Sequence, residues 1–406
     1  MALLPVDEAR RRLLDSATPV AASETVTLGE ASGRVLAVDL EARLTQPPFN
    51  ASAMDGYALK AADAPDIGAE LRVVGSSAAG HAFDGTVGPG EAVRIFTGAP
   101  LPEGTDSVLI QEDAEALENN RIRTAFNVTE GRHVRPRGQD FRQGEPVLLA
   151  GTVLDFPRLT VAAAMNHPDV TVYRRPRVAI LATGDELVQP GSVPGAAQII
   201  ASNTFGVAAL VRQNGGDVLD LGIVGDRAGD IAAAVERARA ARADVLVTLG
   251  GASVGDHDLV QATLKGAGMT LDFWRIAMRP GKPLMVGRLD DMQVLGLPGN
   301  PVASLVTSML FLEPLVRRLA RLPENNRHAE LVTATPLAAN DQRQDYLRSR
   351  IWTDDGGRLM AQAFDKQDSS MMNIFAQSDG LIIRPPHAPG LEAGSPCPVL
   401  LIRPLG

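Results

Sequence analysis

The feature that most constrains the fold is an alternation that runs from Ala179 to Ala320. Short apolar runs rich in β-branched residues alternate there with amphipathic runs of helix length. This alternation is typical of a parallel sheet with crossover helices, and it predicts a central doubly wound α/β domain. The predicted strands are Val178–Ala182, Asp217–Val224, Asp244–Leu249, Leu271–Arg275, Leu284–Gly287 and Gln293–Gly296. The predicted helices are Asn203–Gln213, Asp230–Ala240, Asp258–Lys265 and Val302–Leu319.

A chain of 406 residues exceeds what one hydrophobic core usually supports, so further domains are expected. The regions that flank the α/β domain have a different residue composition. Gly56–Asp140 is rich in Val, Thr, Gly and Pro and predicts a small β-domain. Leu331–Pro404 predicts a C-terminal β-barrel or sandwich, with strands near Tyr346–Trp352, Leu381–Arg384 and Val399–Arg403. Val6–Ala17 and Phe156–Met165 look helical, and we expect them to pack together in one discontinuous domain. The predicted domains are residues 1–50 with 141–175, 51–140, 176–326 and 327–406.

Composition excludes several classes of protein. A net charge of −9 with 4% aromatic residues argues against nucleic-acid binding. No apolar run is long enough to span a bilayer, so no membrane segment is expected. The first eight residues lack a basic start, which predicts a cytoplasmic protein without a secretory signal. The single cysteine, Cys397, lies in an apolar run and is expected to be a packed core thiol.

Carboxylates follow three of the predicted strands. Glu186, Asp226, Asp256 and Asp258 would all lie at the carboxyl edge of one sheet, where open α/β sheets bind ligands. Crowded carboxylates need a cation, and oxygen ligands without a histidine or cysteine pattern favour Mg²⁺. The six histidines are scattered, which argues against zinc, although His257 between two aspartates keeps a possible site role.

A glycine-rich turn follows the third predicted strand. The segment Gly250–Asp258 contains three glycines and leads into a helix, whose free N–H groups favour an anion such as phosphate. It is not a P-loop, because no Gly-Lys-Ser/Thr follows, and a plain tight turn is an equal alternative.

Two further turns carry polar groups. In Arg275–Pro283, the Pro280-Gly281 turn can direct Arg279 and Lys282 into one space, although a solvated basic loop is the alternative. Gly296–Pro301 is a rigid turn that predicts a helix capped by Asn300, and it could be no more than a helix start.

Taken together, seven motifs resemble the molybdopterin molybdenumtransferase family, the MoeA type that is shared with the E domain of gephyrin. The resemblance covers essentially the whole chain. Its motifs are Pro48–Ala58, Arg94–Pro100, Arg137–Asp140, Thr183–Leu187, Gly250–Asp258, Pro280–Pro283 and Gly296–Pro301.

The resemblance implies an elongated homodimer of four-domain subunits with a central domain of the molybdopterin-binding type. It implies a Mg²⁺-dependent reaction that takes adenylylated molybdopterin and molybdate and releases AMP and molybdenum cofactor. Molybdopterin adenylyltransferase and molybdoenzyme acceptors are the further partners that it implies.

The resemblance also implies three sets of site residues, carried over motif by motif. The catalytic set is Asp55, Thr97, Asp140, Glu186, Asp226 and Asp258, of which the last three would hold Mg²⁺. The substrate-binding set is Gly184, Asp185, Gly250, Gly251, Ser253, Gly255, Arg275, Pro298, Gly299 and Asn300. The molybdate-binding set is Arg279, Lys282, Pro283, Arg348 and Ser369.

The chain departs from the common family pattern at Asn50, Gln139, Ala252, Arg275 and Arg279. At Arg275 and Arg279 an arginine, with a planar fork of donors, stands where the family often has lysine, with a point charge. These two departures therefore affect the geometry of anion binding more than the reaction. Two alternatives stay open. A molybdopterin adenylyltransferase would resemble the central domain alone, and a non-enzymatic scaffold like the gephyrin E domain would have no need of the charged sets.

Overall fold

The computed structural model describes residues 3–250 and 259–404. It divides into two compact units. Unit 1 comprises Met1–Glu24 and Tyr173–Gly406, and unit 2 comprises Thr25–Val172. The first elements in the chain are α1 (Val6–Ser16) and β1 (Ser23–Thr27).

Unit 2 is mostly β-structure. Its elements are β2 (Leu40–Glu41), β3 (Ala51–Ser52), β4 (Gly56–Leu59), β5 (Glu70–Ser77), β6 (Glu91–Ile95), β7 (Ser107–Ile110), β8 (Ala114–Leu117), β9 (Arg121–Thr124), β10 (Val134–Arg135), β11 (Pro146–Leu148), α2 (Phe156–Ala164) and β12 (Asp169–Tyr173). Six strands form one sheet in the order β7-β4-β6-β5-β9-β8. The apolar side chains Leu59, Leu71 and Ile122 are buried in its core, so the prediction of β-structure over Gly56–Asp140 is confirmed.

A second core in unit 2 joins segments that are distant in the sequence. Leu36 and Leu40 pack there with Phe141, Leu154 and Met165. Helix α2 belongs to this core, whereas α1 contributes Val6, Ala9 and Leu13 to the core of unit 1. The expected packing of the two helices against each other is therefore wrong, because the apolar face of α1 is covered by the α/β domain.

The α/β domain of unit 1 follows the predicted alternation. Its elements are β13 (Arg177–Thr183), β14 (Leu187–Val188), β15 (Ile199–Ile200), α3 (Asn203–Gln213), β16 (Asp217–Val224), α4 (Ala228–Ala240), β17 (Val245–Leu249), α5 (Leu259–Gly266), β18 (Thr270–Arg275), β19 (Met278–Arg279), β20 (Pro283–Leu289), β21 (Met292–Leu297), α6 (Pro301–Thr307) and α7 (Glu313–Leu319). Successive residues of β13 face opposite sides of the sheet: Ile180 packs in the core with α3, α6 and α7, and Leu181 packs in the core with α4 and α5. Cores on both faces confirm the doubly wound fold class.

The central sheet is mixed instead of wholly parallel. Its order is β16-β13-β17-β21-β20-β18, and β20 runs antiparallel to both of its neighbours. Only Asp290 and Asp291 separate β20 from β21, and a parallel pair needs a connection of about a dozen residues. Because β18 is antiparallel to β20, it runs in the same direction as β21. Its carboxyl end therefore stays at the edge where the other loops converge.

The long predicted helix Val302–Leu319 is interrupted. A π-helical turn, Ser308–Leu312, separates α6 from α7. Pro314 has no N–H to donate to the preceding turn, which accounts for a disturbed hydrogen-bond pattern just before it.

The last part of unit 1 is a closed barrel. Its elements are β22 (His328–Thr333), β23 (Gln344–Thr353), β24 (Leu359–Ala363), α8 (Met372–Ala376), β25 (Gly380–Arg384) and β26 (Pro396–Leu401). Five strands run in the order β23-β24-β22-β26-β25, and a β23–β25 pairing closes the ring. The barrel prediction is confirmed, and Cys397 is buried in the barrel core as expected. No helix in the described part of the chain is long and apolar enough to cross a membrane.

Candidate functional site at the carboxyl edge of the central sheet

A cavity of about 880 Å³ lies at the carboxyl edge of the central sheet in unit 1. Loops after β13, β16, β17, β18 and β21 form one wall, and loops of the barrel form the other. The α/β wall includes the predicted residues Gly184, Glu186, Asp226, Gly250, Arg279, Lys282, Pro283, Pro298, Gly299 and Asn300. The barrel wall is formed by Arg343, Gln367, Asp368 and Ser369.

Close backbone packing positions the carboxylates on one side of the cavity. Glu186 and Asp226 line it, and the backbone N–H of Asp226 donates to Asp185 Oδ1 at 3.2 Å. A Cβ on Gly184, which has a φ of +149°, would lie 2.5 Å from Glu186 Oε2. Glycine is therefore required at this position for Glu186 to turn back along the strand end.

Thr183, the last residue of β13, adds an unused polar group. It is buried and lines the cavity, and its Oγ1 has no hydrogen-bond partner among the described residues. A buried hydroxyl without a partner is unfavourable, so a ligand oxygen at this point would satisfy it.

The cationic side of the cavity comes from the loop between β18 and β20. Arg279 is already engaged, because its guanidinium contacts the carboxylates of Asp345 and, at 3.2 Å, Asp341. Lys282 is exposed and lines the cavity, and its ammonium has no hydrogen bond or ion pair with any residue that the structure describes. Of these two cations, Lys282 is the one whose charge is available to a ligand.

Arg343 is a cavity residue that the sequence analysis missed. It pairs with Asp341 at 2.9 Å and lines the barrel wall. A signal was present in Asp341-Gln342-Arg343-Gln344-Asp345, where a charged residue recurs at every second position up to the start of the strand at Gln344.

Arg348 occupies a different place from the one expected. It is only 1% exposed and does not line the cavity. Its Nη1 donates to the Asp368 carbonyl at 2.6 Å and its Nε donates to Gln367 Oε1 at 3.1 Å. Within residues 3–250 and 259–404 it has no carboxylate partner, and burial lowers its pKa. Arg348 is thus a buried cation that lies directly beneath the barrel wall.

Gln367 and Arg348 form a reciprocal clamp. Gln367 Oε1 also accepts from the Arg348 N–H at 3.0 Å. Gln367 Nε2 donates to the carbonyls of Arg348, at 3.1 Å, and Phe364, at 2.8 Å. These four hydrogen bonds hold the segment that presents Gln367, Asp368 and Ser369 to the cavity.

Asn300 connects the two walls. It occupies the N-cap position of α6 as predicted, but its side chain makes no capping hydrogen bond. Its Nδ2 instead donates to Ser369 Oγ at 2.9 Å. The expected side-chain cap is therefore wrong: the Asn300 amide is held by Ser369 of the barrel wall and accepts no hydrogen bond from the first turn of α6.

Arg275 and Asp185, two predicted substrate contacts, do not line the cavity. The Arg275 guanidinium stacks on Trp274 at 3.9 Å from the ring centre, and its Nε is buried without a partner among the described residues. Predicted residues Gly251, Ser253, Gly255 and Asp258, together with Asp256, His257 and the predicted start of the helix at Asp258, lie outside the described residues.

A second cavity, of about 500 Å³, adjoins the first. The two share Thr183, Glu186, Gly250, Gly299 and Asn300. The rest of the second cavity is mainly apolar and includes Leu187, Ile199, Leu249 and Met372. A polar cavity joined to an apolar one suits a ligand with a charged group at one end and a ring at the other.

Asp55, Thr97 and Asp140 lie in unit 2. Asp55 Oδ1 accepts from the Thr97 N–H at 2.7 Å and from Thr97 Oγ1 at 2.8 Å. These hydrogen bonds, of which the one from the backbone N–H has the largest effect, hold the pKa of Asp55 below its ordinary value. Asp140 is exposed. Near Asp55, Arg94 stacks between the rings of Tyr57 and Phe96, and Phe96 is 40% exposed.

Three family profiles match consecutive parts of the chain: the MoeA N-terminal region (domain I and II) at residues 4–166, a probable molybdopterin binding domain at 179–318, and the MoeA C-terminal region (domain IV) at 330–402. A molybdopterin molybdenumtransferase from Haemophilus influenzae is 33% identical over 394 residues, which cover 97% of both chains. The chain belongs to the molybdopterin molybdenumtransferase family. The resemblance inferred from the motifs is confirmed.

Other members of the molybdopterin molybdenumtransferase family agree. One from a Nostoc species is 37% identical over 372 residues, which cover 89% of this chain and 85% of the relative. The crystal structure of a molybdopterin biosynthesis MoeA protein from Pyrococcus horikoshii matches with a TM-score of 0.82 and 28% identity, and the match covers 100% of both chains. The multidomain α/β and β architecture is thus that of the family.

Proposed function

We propose that this protein inserts molybdenum from molybdate into adenylylated molybdopterin and releases AMP and molybdenum cofactor. The observation that carries the proposal is the cavity at the sheet edge. Two carboxylates and a lysine without an ion pair among the described residues lie on its α/β wall, and a buried arginine lies beneath its barrel wall. The relatives' shared name, molybdopterin molybdenumtransferase, supplies the substrate class.

Molybdate is a small dianion that needs fixed donors. Lys282 supplies a charge that no described residue pairs with, and Ser369 supplies a hydroxyl that Asn300 positions. Pro280 and Pro283 restrict the loop around Lys282, so less ordering entropy is lost when the anion binds. Arg348 adds positive potential from beneath the wall, and its role is to position the Gln367–Ser369 segment and not to contact the anion.

Glu186 and Asp226 are suited to Mg²⁺, with Asp258 as the third member of the set. Mg²⁺ is typically held by one or two carboxylates while it keeps waters and substrate phosphate. Within the described ranges no group of three or more His, Cys, Asp or Glu side chains is placed to hold a metal ion. When bound, the ion would neutralise charge on the phosphate. Glu186 and Asp226 would orient it from the strand ends.

The second cavity would take the ring portion of the substrate. Leu187, Ile199 and Met372 offer apolar surface to a flat heterocycle, and the shared residues Thr183 and Gly250 lie at the junction where a phosphate would pass. The Thr183 hydroxyl, which has no hydrogen-bond partner in the described part of the chain, would donate to that phosphate.

The proposal includes a homodimer in which Asp55, Thr97 and Asp140 come from the partner subunit. Thr97 already orients the Asp55 carboxylate at the surface of unit 2, next to exposed apolar side chains such as Phe96. Mixing inactive Asp226→Ala with inactive Asp55→Ala subunits should restore up to about a quarter of parental activity by random pairing. A monomeric mass in light scattering at micromolar concentration would contradict the dimer.

The direct test is to incubate the purified chain with adenylylated molybdopterin, molybdate and Mg²⁺ and to measure AMP. An adenylyltransferase would require ATP and release pyrophosphate, and a scaffold would release neither product. Matches to all three family regions, and not to the central domain alone, favour the molybdenum transfer reaction. We place this reaction in the cytoplasm, between an adenylyltransferase that supplies the substrate and the molybdoenzymes that accept the cofactor.

A further inference from the structure

The cations around the first cavity fall into two classes. Arg279 and Arg343 are paired with carboxylates from the start of the barrel. Lys282 has no ion pair among the described residues, and Arg348 is buried against neutral acceptors. Two of the three cations that line the cavity among the described residues are therefore already neutralised by carboxylates of the protein itself.

The strand register brings Arg279 next to Asp345, its partner in the ion pair. Strand β19 joins the barrel beside β23, and its register places Arg279 directly opposite Asp345. Asp345 is 3% exposed, and its Oδ1 is buried without a partner among the residues described. Arg279 is the cation that compensates this buried carboxylate, so its release towards a ligand is opposed.

Asp341 reinforces this arrangement from the surface. Its Oδ2 contacts both Arg279 at 3.2 Å and Arg343 at 2.9 Å, and its Oδ1 accepts from the Arg343 N–H at 2.8 Å. We call Asp341 and Asp345 the carboxylate pair. A carboxylate pair adjacent to an anion subsite weakens anion binding, because it neutralises cations that could otherwise face the anion.

We propose that the carboxylate pair sets the oxyanion affinity of the cavity by withholding Arg279. The anion is held by Lys282 and the Ser369 wall, and Arg279 is a reserve charge that Asp345 keeps away from it. The inference rests on the proposed function, since molybdate is the oxyanion in question, and it adds a residue that limits affinity instead of raising it.

The experiment is calorimetric titration of the purified full chain with molybdate alone. Asp345→Asn keeps the side-chain size and removes the charge, and it should tighten molybdate binding roughly 10-fold, the scale of one charge-assisted contact. Arg279→Ala should weaken binding less than about threefold in the parent, because Asp345 already holds the arginine and because burial raises the pKa of Asp345, so that the carboxylate left behind takes up a proton. The same change in the Asp345→Asn background should weaken binding about 10-fold.

Asp368 offers a matched control. It lines the same cavity and carries the same charge, but its carboxylate bonds to Ser370 and not to an arginine. Arg279→Ala should have the same effect in the parent and in Asp368→Asn. Asp341→Asn is a second probe if Asp345→Asn fails to fold, because Asp341 is exposed, and it should tighten binding about threefold.

The outcomes separate the two proposals. If the parent binds molybdate and neither Asp345→Asn nor Asp341→Asn binds it more tightly, the affinity-limiting role is wrong and the proposed function stands. Equal effects of Arg279→Ala in the parent and in Asp345→Asn would also overturn it. If the parent and both variants bind no molybdate, the anion subsite of the proposed function is wrong, and this inference falls with it.

Discussion

The two walls of the first cavity use their charged groups differently. On the α/β wall, Glu186, Asp226 and Lys282 lie in the loops between strands and helices and line the cavity. On the barrel side, Arg343 and Asp345 are in ion pairs and Arg348 is buried in a clamp with Gln367. Apart from Arg279, which Asp345 holds, the α/β wall thus keeps these charges available to a ligand, and the barrel wall uses its arginines to maintain its own shape.

This difference predicts on which wall a substitution changes function without changing stability. Changes on the α/β wall should alter turnover or binding while the fold stays intact. Changes on the barrel wall should alter both affinity and stability, because the same hydrogen bonds serve both.

The largest effect is expected at Asp226 on the α/β wall. Asp226→Ala should lower AMP release by about 10²-fold or more, the scale of losing about 3 kcal/mol of transition-state stabilisation. Asp226 is exposed, so thermal unfolding should be unchanged within about 0.5 kcal/mol. AMP release at the parental rate would remove Asp226 from the site. Asp220→Ala, an exposed change on β16, is the control.

Lys282→Ala should raise the molybdate concentration required for cofactor synthesis by about 10- to 100-fold, because one charge-assisted contact is lost. Excess molybdate should restore activity in part, and binding of the adenylylated pterin should change far less. Lys265→Ala, at the exposed end of α5, serves as the control. If pterin binding were lost while the molybdate requirement stayed the same, this loop would be a pterin or phosphate contact.

On the barrel wall, Gln367→Glu should weaken molybdate binding about 10-fold, since the new carboxylate would neutralise Arg348. The carboxylate would also face the carbonyls of Arg348 and Phe364 without a proton to donate, which should lower the free energy of unfolding by about 1–3 kcal/mol. Gln362→Glu, on the exposed side of β24, is the matched control. Calorimetry and chemical denaturation measure the two effects. Loss of stability with unchanged molybdate affinity would show that the clamp is structural only.

The smallest effect concerns Asp341. Hydrogen bonds from the Arg343 side chain and backbone lower its pKa to about 2. Because the pKa is depressed, the contribution of this carboxylate to stability is present above pH 3.8 and is lost as the pH falls towards 2. Arg343→Ala should raise the pKa of Asp341 towards its ordinary value, as NMR titration would measure. An unchanged pKa would mean that Arg279 or the backbone alone sustains the shift.

Much of the central domain follows from local pattern. Helix α3 and strand β16 have the predicted bounds, because apolar periodicity and flanking glycines mark both. The direction of β20 could also be predicted, since the connection between the predicted strands on either side of Asp290 is too short for a parallel crossover. The placement of Arg348 was not readable, because its sequence neighbours do not reveal that Gln367 will enclose it.

Local pattern in the amino-acid sequence was enough to predict the order of the β, α/β and barrel regions, the strand-end positions of Glu186 and Asp226, and the rigid proline turn that carries Lys282. These depend on periodicity and on residues close together in the chain. Only the tertiary structure decided that Asp345 pairs with Arg279, that Asn300 bonds to Ser369 instead of capping α6, and that Arg348 is buried. Each of these depends on which distant segment supplies the nearest partner, and a polar group's partner is chosen by packing in three dimensions.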